Sequence, residues 1–230
     1  MSLQDRLDAL KAQLASRNSP EAQATMRRAT EALLASGMAQ RAIRTGDRAP
    51  AFMLPDVNGA MVRSDELLSR GPLVVSFYRG VWCPYCNLEL QALQETLEEI
   101  RARGAELVVL SPQSAANSRR STRIAGLEFP MLIDKANAVA AAFGLRFKLP
   151  DDLIALYKGF GNDLALANGD DSWTLPMPAR FVIDPVGVVR YAEVNPDYSV
   201  RPEPRDLLPV LDDINWHCAG NPDGPVRRVT

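Results

Sequence analysis

The first 45 residues carry two stripes of apolar side chains at helical spacing. The first stripe repeats at intervals of four, three and four residues, and it consists of Leu3, Leu7, Leu10 and Leu14. Ser19-Pro20-Glu21 then combines a capping serine, a proline suited to the first helical position and an acid in the first turn, so a second helix begins there. The two helices predict an N-terminal helical extension, residues 1–45, which docks either on the chain's own main domain or on a second copy of the chain.

From Gly46 onward the apolar positions change to short runs that alternate with helical segments. The run from Leu73 to Tyr78 is typical of a central strand buried on both faces. Alternation of strands and helices predicts an α/β fold, in which a mixed but mostly parallel sheet is flanked by helices. The predicted strands are 49–54, 61–63, 73–78, 107–110, 129–134, 181–184 and 188–192, the last two forming a hairpin. The predicted helices are 65–69, 84–103, 114–124, 136–143 and 203–214.

Two segments depart from this alternation and complete the domain organisation. Residues 146–176 contain a Gly/Asn/Asp-rich stretch, and they predict an insertion with one helix inside a main domain of residues 46–214. Residues 215–230 end with Gly, Pro and Arg, which is typical of a loosely ordered tail.

Composition narrows the function classes. A net charge of −2 over 230 residues does not indicate a basic surface, so neither nucleic acid nor a membrane is an expected partner. A single histidine, His217, excludes any site with three histidine ligands, and three cysteines are too few for a secreted disulfide framework. The N-terminus does not resemble a signal peptide, so a cytoplasmic protein with reduced thiols is expected; a mature exported chain would have lost its signal.

The residues that bear chemistry are Trp82-Cys83-Pro84-Tyr85-Cys86, between a buried strand and a long helix. Free backbone N–H groups and the helix dipole favour negative charge on the first cysteine, so we expect Cys83 to be a thiolate nucleophile. Pro84 suits the first helical position, where its missing N–H removes no hydrogen bond. Cys86 follows on the same helical face, so it can resolve an adduct formed on Cys83 or close a disulfide with it.

Other interpretations of these residues stay open. A C-x-x-C pair can be half of a zinc site, which Cys218 and His217 would complete. Within a βαβ pattern, however, C-x-x-C is typical of a redox motif, so we expect no metal. Arg79 either adds positive potential to the thiolate or is a solvated loop residue. Cys218 is either a resolving thiol in trans or a free exposed one.

Further stretches that resemble one known protein family extend well beyond this motif, in consistent order along more than half of the chain. They are Gly46 to Asp56, Asn58-Gly59, Val75-Ser76-Phe77-Tyr78, Trp82 to Cys86 with Glu89, Phe129-Pro130-Met131-Leu132 and Met177 to Asp184. Together they resemble the peroxiredoxin-like (alkyl hydroperoxide reductase/thiol-specific antioxidant) branch of the thioredoxin-fold superfamily. The resemblance implies a thioredoxin fold for the main domain.

The resemblance also implies roles for residues around the motif. In thioredoxin-like proteins a cis proline before a strand faces the nucleophilic cysteine and shapes the substrate groove, and Pro178 stands at that position. Glu89 resembles an acidic residue that follows the second cysteine in relatives, although an ordinary helix-surface residue is the alternative. Trp82 resembles the shielding aromatic before the first cysteine, and Pro84 and Tyr85 complete the motif beside the groove.

The chain departs from the family pattern at two positions. Relatives typically have threonine or serine three residues before the peroxidatic cysteine and proline four residues earlier, where this chain has Gly80 and Ser76. An arginine usually assists the thiolate, and here Arg79 or Arg180 can substitute, although neither lies in the usual register. The motif thus resembles thioredoxin, while the surrounding chain resembles a peroxiredoxin.

These features predict a thiol-dependent redox enzyme. The leading hypothesis is reduction of hydroperoxides by Cys83, with Cys86 as the resolving thiol. No prosthetic cofactor is expected, only an external thiol reductant such as thioredoxin or glutathione. The alternative is a thiol-disulfide oxidoreductase acting on protein or glutathione disulfides. A second alternative, suggested by the N-terminal helices and the insertion, is a non-catalytic redox sensor or interaction protein that can form a homodimer.

Overall fold

The computed structural model describes residues 1–218, the last three of them only as part of the final helix. The helices are α1 (Leu3–Ala15), α2 (Pro20–Ala35), α3 (Met38–Arg41), α4 (Ser64–Leu68), α5 (Pro84–Arg101), α6 (Ala115–Ala125), α7 (Ala138–Ala142), α8 (Asp151–Gly159), α9 (Leu164–Asn168) and α10 (Leu207–Cys218). The strands are β1 (Met53–Pro55), β2 (Met61–Arg63), β3 (Leu73–Phe77), β4 (Glu106–Ser111), β5 (Met131–Ile133), β6 (Arg146–Lys148), β7 (Thr174–Pro176), β8 (Ala179–Ile183) and β9 (Val189–Val194). Among the described residues, no helix has the length and apolar character needed to cross a membrane.

A five-stranded mixed sheet in the order β5-β4-β3-β8-β9 forms the centre of the fold, and helices flank it. The strands β3, β4 and β5 run parallel, whereas β8 pairs antiparallel with both β3 and β9. The predicted α/β fold and terminal hairpin are confirmed. The parallel character is weaker than predicted, because the hairpin adds two antiparallel pairings. The strand β3 lies in the middle of the sheet, so its carboxyl end opens at the centre of one edge.

Alternation along β3 divides the core between the two faces of the sheet. Val74 points into a cluster with Leu93 and Leu97 of α5, on the face that α10 also covers. Val75 and Phe77 point to the other face, where Phe77 packs against the rings of Phe143 and Phe181. Because both faces of β3 are buried, the strand reads as a continuous apolar run in the sequence.

Both predicted N-terminal helices are present, and each docks on its own chain. The helix α1 packs on α5, and its Leu7 side chain is 0% exposed, a burial that stabilises the contact by about 1.5–3 kcal/mol. The helix α2 packs on α8 of the insertion, where Met26 and Ala29 contact an apolar cluster around Leu153 and Tyr157. The short helix α3, which the sequence pattern did not indicate, follows α2 directly.

The insertion is more structured than predicted. Residues 146–176 contain two helices, α8 and α9, rather than one, and β6 and β7 pair antiparallel near its two ends. The helix α9 is only five residues long, too short to show a helical stripe in the sequence. Its local signal is Asp163, whose side chain caps the helix by accepting hydrogen bonds from the backbone of Ala165 and Leu166.

The final helix is displaced from its predicted bounds of 203–214. A 3₁₀ turn, Pro204–Asp206, comes first, and α10 then continues to Cys218. The stripe of Leu207, Leu211 and Ile214 is buried on the sheet, which explains why the helix forms there. The helix therefore includes the first residues of the predicted tail, 215–230, and the remainder of that tail lies outside the described residues.

Candidate active site

Cys83 lies at the junction between the central strand β3 and the helix α5. The strand ends at Phe77, and residues 78–82 carry the chain across the carboxyl edge of the sheet. Cys83 is the N-cap of α5 in an extended conformation (φ −92°, ψ 106°), and Pro84 occupies the first helical position. Both motif cysteines are reduced and buried, Cys83 at 2% exposure and Cys86 at 0%.

The two thiols have pKa values displaced in opposite directions. Burial raises the pKa of Cys83, but a hydrogen bond from the Cys86 thiol and the positive charges of Arg79 and Arg201 outweigh it and lower this pKa to about 6. Burial, the hydrogen bond to Cys83 and the charge on Cys83 raise the pKa of Cys86 well above its ordinary value. At neutral pH the pair therefore carries one negative charge, centred on Cys83, and one proton, held by Cys86.

Arg79 is enclosed by aromatic rings and is only 3% exposed. Its guanidinium carbon lies 4.3 Å from the ring centre of Tyr198 and 4.9 Å from that of Trp82. One terminal nitrogen, Nη2, donates a hydrogen bond to the hydroxyl of Tyr157 at 2.5 Å, while Nε has no hydrogen-bond partner among the described residues. The solvated-loop interpretation of Arg79 is therefore wrong, and its charge acts on Cys83.

Glu89 is buried between two arginines and is not an ordinary residue of the helix surface. Its Oε1 accepts a hydrogen bond from Nη2 of Arg180 at 2.9 Å, and its Oε2 accepts one from Nε of Arg201 at 2.6 Å. All three side chains are at most 2% exposed. Glu89 pairs with Arg180 and Arg201, whereas the charges of Arg79 and Arg201 both act on Cys83, so a negative charge on Cys83 offsets positive charge in this buried region.

Arg201 is a site residue that the sequence analysis missed. Its Nη2 lies 3.7 Å from the Sγ of Cys86, and its Nη1 donates hydrogen bonds to the carbonyls of Tyr198 and Val200 at 2.7 and 2.8 Å. These contacts hold the connection between β9 and the last 3₁₀ turn against the thiol pair. Arg201 lies 115 residues after Cys86, outside any motif or periodic stripe, so the sequence carries no local signal for it.

The two aromatic residues of the motif, Trp82 and Tyr85, pack against other aromatic rings near the thiols. Trp82 packs on Tyr157 with ring centres 5.3 Å apart, and Tyr85 packs on Tyr198 at 5.5 Å. Trp82 is half-buried and Tyr85 is buried, whereas Pro84 is exposed. The structure thus brings Trp82 and Tyr85 together with Arg79, and it leaves Pro84 facing solvent at the helix end.

A buried glutamine and a glycine shape the connection before Cys83. Gln113 Oε1 accepts a hydrogen bond from the backbone of Val81 at 2.9 Å, and its Nε2 donates to the hydroxyl of Tyr78. Gly80 has φ +141°, and a Cβ there would lie 2.5 Å from Nε1 of Trp82. This close approach and the positive φ disfavour at position 80 the threonine or serine that is typical of relatives.

Pro178 is buried immediately before β8, at the edge of the sheet that also carries the connection to Cys83. Ala179 pairs with Phe77, so the antiparallel register places Pro178 beside Tyr78. The resemblance implied a cis peptide bond before Pro178. This expectation is wrong, since no cis peptide bond occurs among residues 1–218. A trans bond lets the extended chain continue from β7 into β8. A role for Pro178 in the substrate groove stays a prediction.

The zinc alternative depends on residues beyond the thiol pair. Among the described side chains, no group of three or more cysteine, histidine, aspartate or glutamate residues has a metal-binding arrangement. The side chains of His217 and Cys218, which would complete such a site, lie outside the described part of the chain.

A buried thiolate at a helix N-terminus, paired with a second thiol on a mixed α/β sheet, defines the class of thiol-dependent oxidoreductases. The sequence profile described as the AhpC/TSA family matches residues 45–192, which is more than half of the chain. The chain belongs to the AhpC/TSA family, and the family resemblance found in the sequence is confirmed.

Individual relatives agree with this assignment. A chloroplastic peroxiredoxin Q from Oryza sativa subsp. japonica is 30% identical over 149 residues, covering 65% of this chain and 58% of the relative. The thiol-disulfide oxidoreductase ResA of Halalkalibacterium halodurans is 30% identical over 104 residues, covering 45% of this chain and 58% of the relative. Both relatives support a redox enzyme. The similarity to peroxiredoxin Q supports a thiol-dependent peroxidase. Each alignment covers less than two thirds of the relative's length.

Solved structures support the fold. Peroxidoxin BcpB from Mycobacterium tuberculosis aligns with a TM-score of 0.58 at 24% identity, covering 75% of this chain and 97% of that one. The yeast mitochondrial 1-Cys peroxiredoxin aligns with a TM-score of 0.61 at 20% identity, covering 81% of this chain and 83% of that one. The predicted thioredoxin fold of the peroxiredoxin branch is thus confirmed.

Proposed function

We propose that the protein is a thiol-dependent peroxidase in which Cys83 reduces a hydroperoxide and Cys86 resolves the product. The Cys83 thiolate attacks one peroxide oxygen: an S–O bond forms, the O–O bond breaks, and the departing alkoxide or hydroxide takes up a proton. The sulfenic acid on Cys83 then condenses with the Cys86 thiol, which releases water and forms a disulfide. Two electrons from an external thiol, a thioredoxin-like dithiol or glutathione, restore both cysteines.

The observation that carries the proposal is a pair of buried thiols at the N-terminus of α5 beside Arg201, an environment that displaces their two pKa values in opposite directions. A nucleophile must be ionised before the reaction, and the pKa of about 6 keeps Cys83 ionised at neutral pH. The resolving thiol is needed only afterwards, when the charge on Cys83 has been replaced by a neutral sulfenic acid. That change removes two causes of the high Cys86 pKa, the charge and the hydrogen bond.

The supporting residues take roles that follow from their contacts. Arg79 stabilises the thiolate and presents a donor to the peroxide. Glu89 orients the two buried arginines that it pairs with. Trp82 and Tyr85 exclude water from the thiols, and Pro178 borders the groove. No prosthetic group takes part in these steps.

The alternative function is thiol-disulfide exchange. It is favoured by the C-x-x-C spacing and by the similarity to ResA. The same Cys83 thiolate would attack a disulfide, and Cys86 would release the mixed disulfide. Either activity requires a reducing partner, and we place the protein in a reducing compartment, the cytoplasm.

The test is the rate at which the reduced protein reacts with hydrogen peroxide at pH 7, followed by stopped flow. Ionisation alone makes a thiol of pKa about 6 about 30-fold more reactive than free cysteine, whose pKa is about 8.5. A peroxidase must exceed that factor because it also stabilises the transition state. A rate within about 30-fold of free cysteine would refute peroxidase activity.

Two serine variants complete the test. Cys83→Ser is expected to abolish the peroxide reaction. Cys86→Ser is expected to retain the first step but to stop at a sulfenic acid that dimedone traps. Reduction of insulin disulfides by the wild type, lost in Cys83→Ser and accompanied by a slow peroxide reaction, would instead establish the exchange activity.

A further inference from the structure

The backbone just before Cys83 is held by two side-chain amides from different elements. Gln113, two residues after β4, accepts the backbone N–H of Val81 on its Oε1 at 2.9 Å. Asn87, in the first turn of α5, donates from its Nδ2 to the backbone carbonyl of Val81 at 2.9 Å. We call Gln113 and Asn87 the amide clamp, because together they bind both polar groups of the Val81 backbone.

Val81 is a central residue of the turn that ends at Cys83. The carbonyl of Gly80 accepts the backbone N–H of Cys83 at 3.0 Å, which closes a four-residue turn over positions 80–83. The carbonyl of Cys83 then accepts the backbone N–H of Asn87 at 3.1 Å, as α5 begins. Arg79 enters this turn and Cys83 leaves it, so the orientation of the Val81 peptide groups sets where the guanidinium lies relative to the sulfur.

The Gln113 side chain is itself fixed by a buried hydrogen-bond network. It is 0% exposed, and its Nε2 donates to the hydroxyl of Tyr78 and, at 3.2 Å, to that of Ser121. The amide oxygen and both amide N–H groups of Gln113 therefore have partners. Since Tyr78 follows β3 and Ser121 lies on α6, the network connects the clamp to the sheet and to a covering helix, which leaves the amide one orientation.

The ionisable groups that act on Cys83 come from several segments, and two of them are cations. Arg79 precedes the clamped turn, and Arg201 lies in the connection after β9. The other groups are kept protonated at neutral pH by raised pKa values, and they are Cys86, Tyr78, Tyr85, Tyr157 and Tyr198. Arg201 is held separately by its ion pair with Glu89, so a displaced turn weakens the action of Arg79 and leaves that of Arg201.

We propose that Gln113 and Asn87 are positioning residues for the nucleophile, which hold Arg79 against the Cys83 thiolate by binding the Val81 backbone. The proposal rests on the thiol chemistry proposed above and assigns to it two residues that act only through the backbone. Replacing either amide with an apolar side chain removes one hydrogen bond from the turn. The guanidinium then lies farther from the sulfur on average, and the thiolate is less favoured.

The test measures alkylation of Cys83 by iodoacetamide, since only the thiolate reacts. Gln113→Met and Asn87→Leu each remove one arm of the clamp. Gln94→Met is the matched control, because Gln94 also accepts a backbone N–H, that of Glu128 at 2.9 Å, away from the turn. With a Cys83 pKa of about 6, the ratio of rate constants at pH 8 and pH 6 is about 2 in the wild type.

In each clamp variant the pKa of Cys83 is expected to rise by about one unit, which increases this ratio to about 10, while Gln94→Met keeps a ratio of about 2. A variant that is merely less stable has less folded protein at both pH values, so its ratio does not move. Asn87 is half-buried, so Asn87→Leu carries the test should Gln113→Met not fold. A ratio near 2 in a folded clamp variant, or an equal rise in Gln94→Met, would overturn the proposal.

Alkylation does not depend on peroxide chemistry, so the positioning role and the peroxidase function can fail separately. The same proteins are mixed with hydrogen peroxide in stopped flow. If the alkylation ratio rises as expected but the wild type reacts with peroxide no faster than its ionisation explains, the positioning role stands and the peroxidase function fails. If the wild type reduces peroxide rapidly but the ratio stays near 2 in the clamp variants, the peroxidase function stands and the positioning role fails.

Discussion

Replacing Arg201 with methionine should slow the resolving step more than the peroxide step, because Arg79 still lowers the pKa of Cys83 in the variant. The guanidinium Nη2 lies 3.7 Å from the Sγ of Cys86, and it favours the thiolate that must attack the sulfenic acid. Glu89 keeps its partner Arg180 in the variant, so the buried carboxylate is not left without a positive charge. Methionine retains much of the apolar stem of arginine and removes only the charged head.

The size of the effect follows from Coulomb's law. A unit charge 3.7 Å from the sulfur, at an effective dielectric constant of about 20, favours the thiolate by about 4 kcal/mol. Loss of that energy lowers the thiolate population of Cys86 by a factor of about 10³. The more basic thiolate is intrinsically a better nucleophile, with a Brønsted coefficient of about 0.45, so the net slowing is about 40-fold.

The assay treats the reduced protein with one equivalent of hydrogen peroxide, quenches it with dimedone at successive times and measures sulfenic acid and disulfide by mass spectrometry. Sulfenic acid is expected to accumulate in Arg201→Met, and excess peroxide should convert more of it to sulfinic acid than in the wild type. Arg205→Met is the matched control, because Arg205 is exposed and pairs with Glu99 at the surface. A correctly folded Arg201→Met that forms its disulfide at the wild-type rate would refute the reasoning.

Three further predictions concern the same site. The second-order rate constant for hydrogen peroxide should rise with pH, with its midpoint at about pH 6, the pKa of Cys83, because only the thiolate reacts. Arg79→Gln should move this midpoint upward, and a rate constant independent of pH between 5 and 7 would contradict the assignment. Glu89→Gln leaves two buried arginines without their carboxylate, so the free energy of unfolding should fall by about 3–5 kcal/mol. Thermal and denaturant unfolding measure this loss, and a variant as stable as the wild type would contradict the prediction. Gly80→Ala places a Cβ against the Trp82 indole, so near-ultraviolet circular dichroism and the peroxide rate should both change, and wild-type values for both would show that the connection accommodates the methyl group.

The parts of the site that the sequence predicts are those encoded within a short stretch of chain. The strand β3, the N-cap position of Cys83 and the face shared with Cys86 all lie in the short stretch from Leu73 to Cys86, and each has a local cause in apolar runs, capping or helical spacing. The resemblance to a known family extended this local information to Glu89 and Arg180. It did not reveal that the two side chains form a buried ion pair.

The parts that the sequence did not predict come from distant segments that packing brings together. Tyr157 lies in the insertion, and Tyr198 and Arg201 lie in a connection without regular structure, yet all three surround the thiol pair or Arg79. A single tyrosine or arginine in such segments has no spacing to distinguish it from a surface residue. Only the tertiary arrangement shows that Arg79 is enclosed and that Cys86 faces a guanidinium.

The same arrangement changes the interpretation of the N-terminal extension. Gln4 of α1 donates its backbone N–H to Glu203 at 3.3 Å and accepts the backbone N–H of Arg201 at 3.4 Å, and Lys11 donates to Ser199 at 3.2 Å. These hydrogen bonds hold the connection that carries Tyr198 and Arg201 against the thiols. The extension therefore supports the residues that set the two thiol pKa values. The hypothesis of a redox sensor or interaction protein drew on the idea that thiol chemistry does not need these helices. The contacts of α1 argue against that idea, because they hold the connection that carries Arg201.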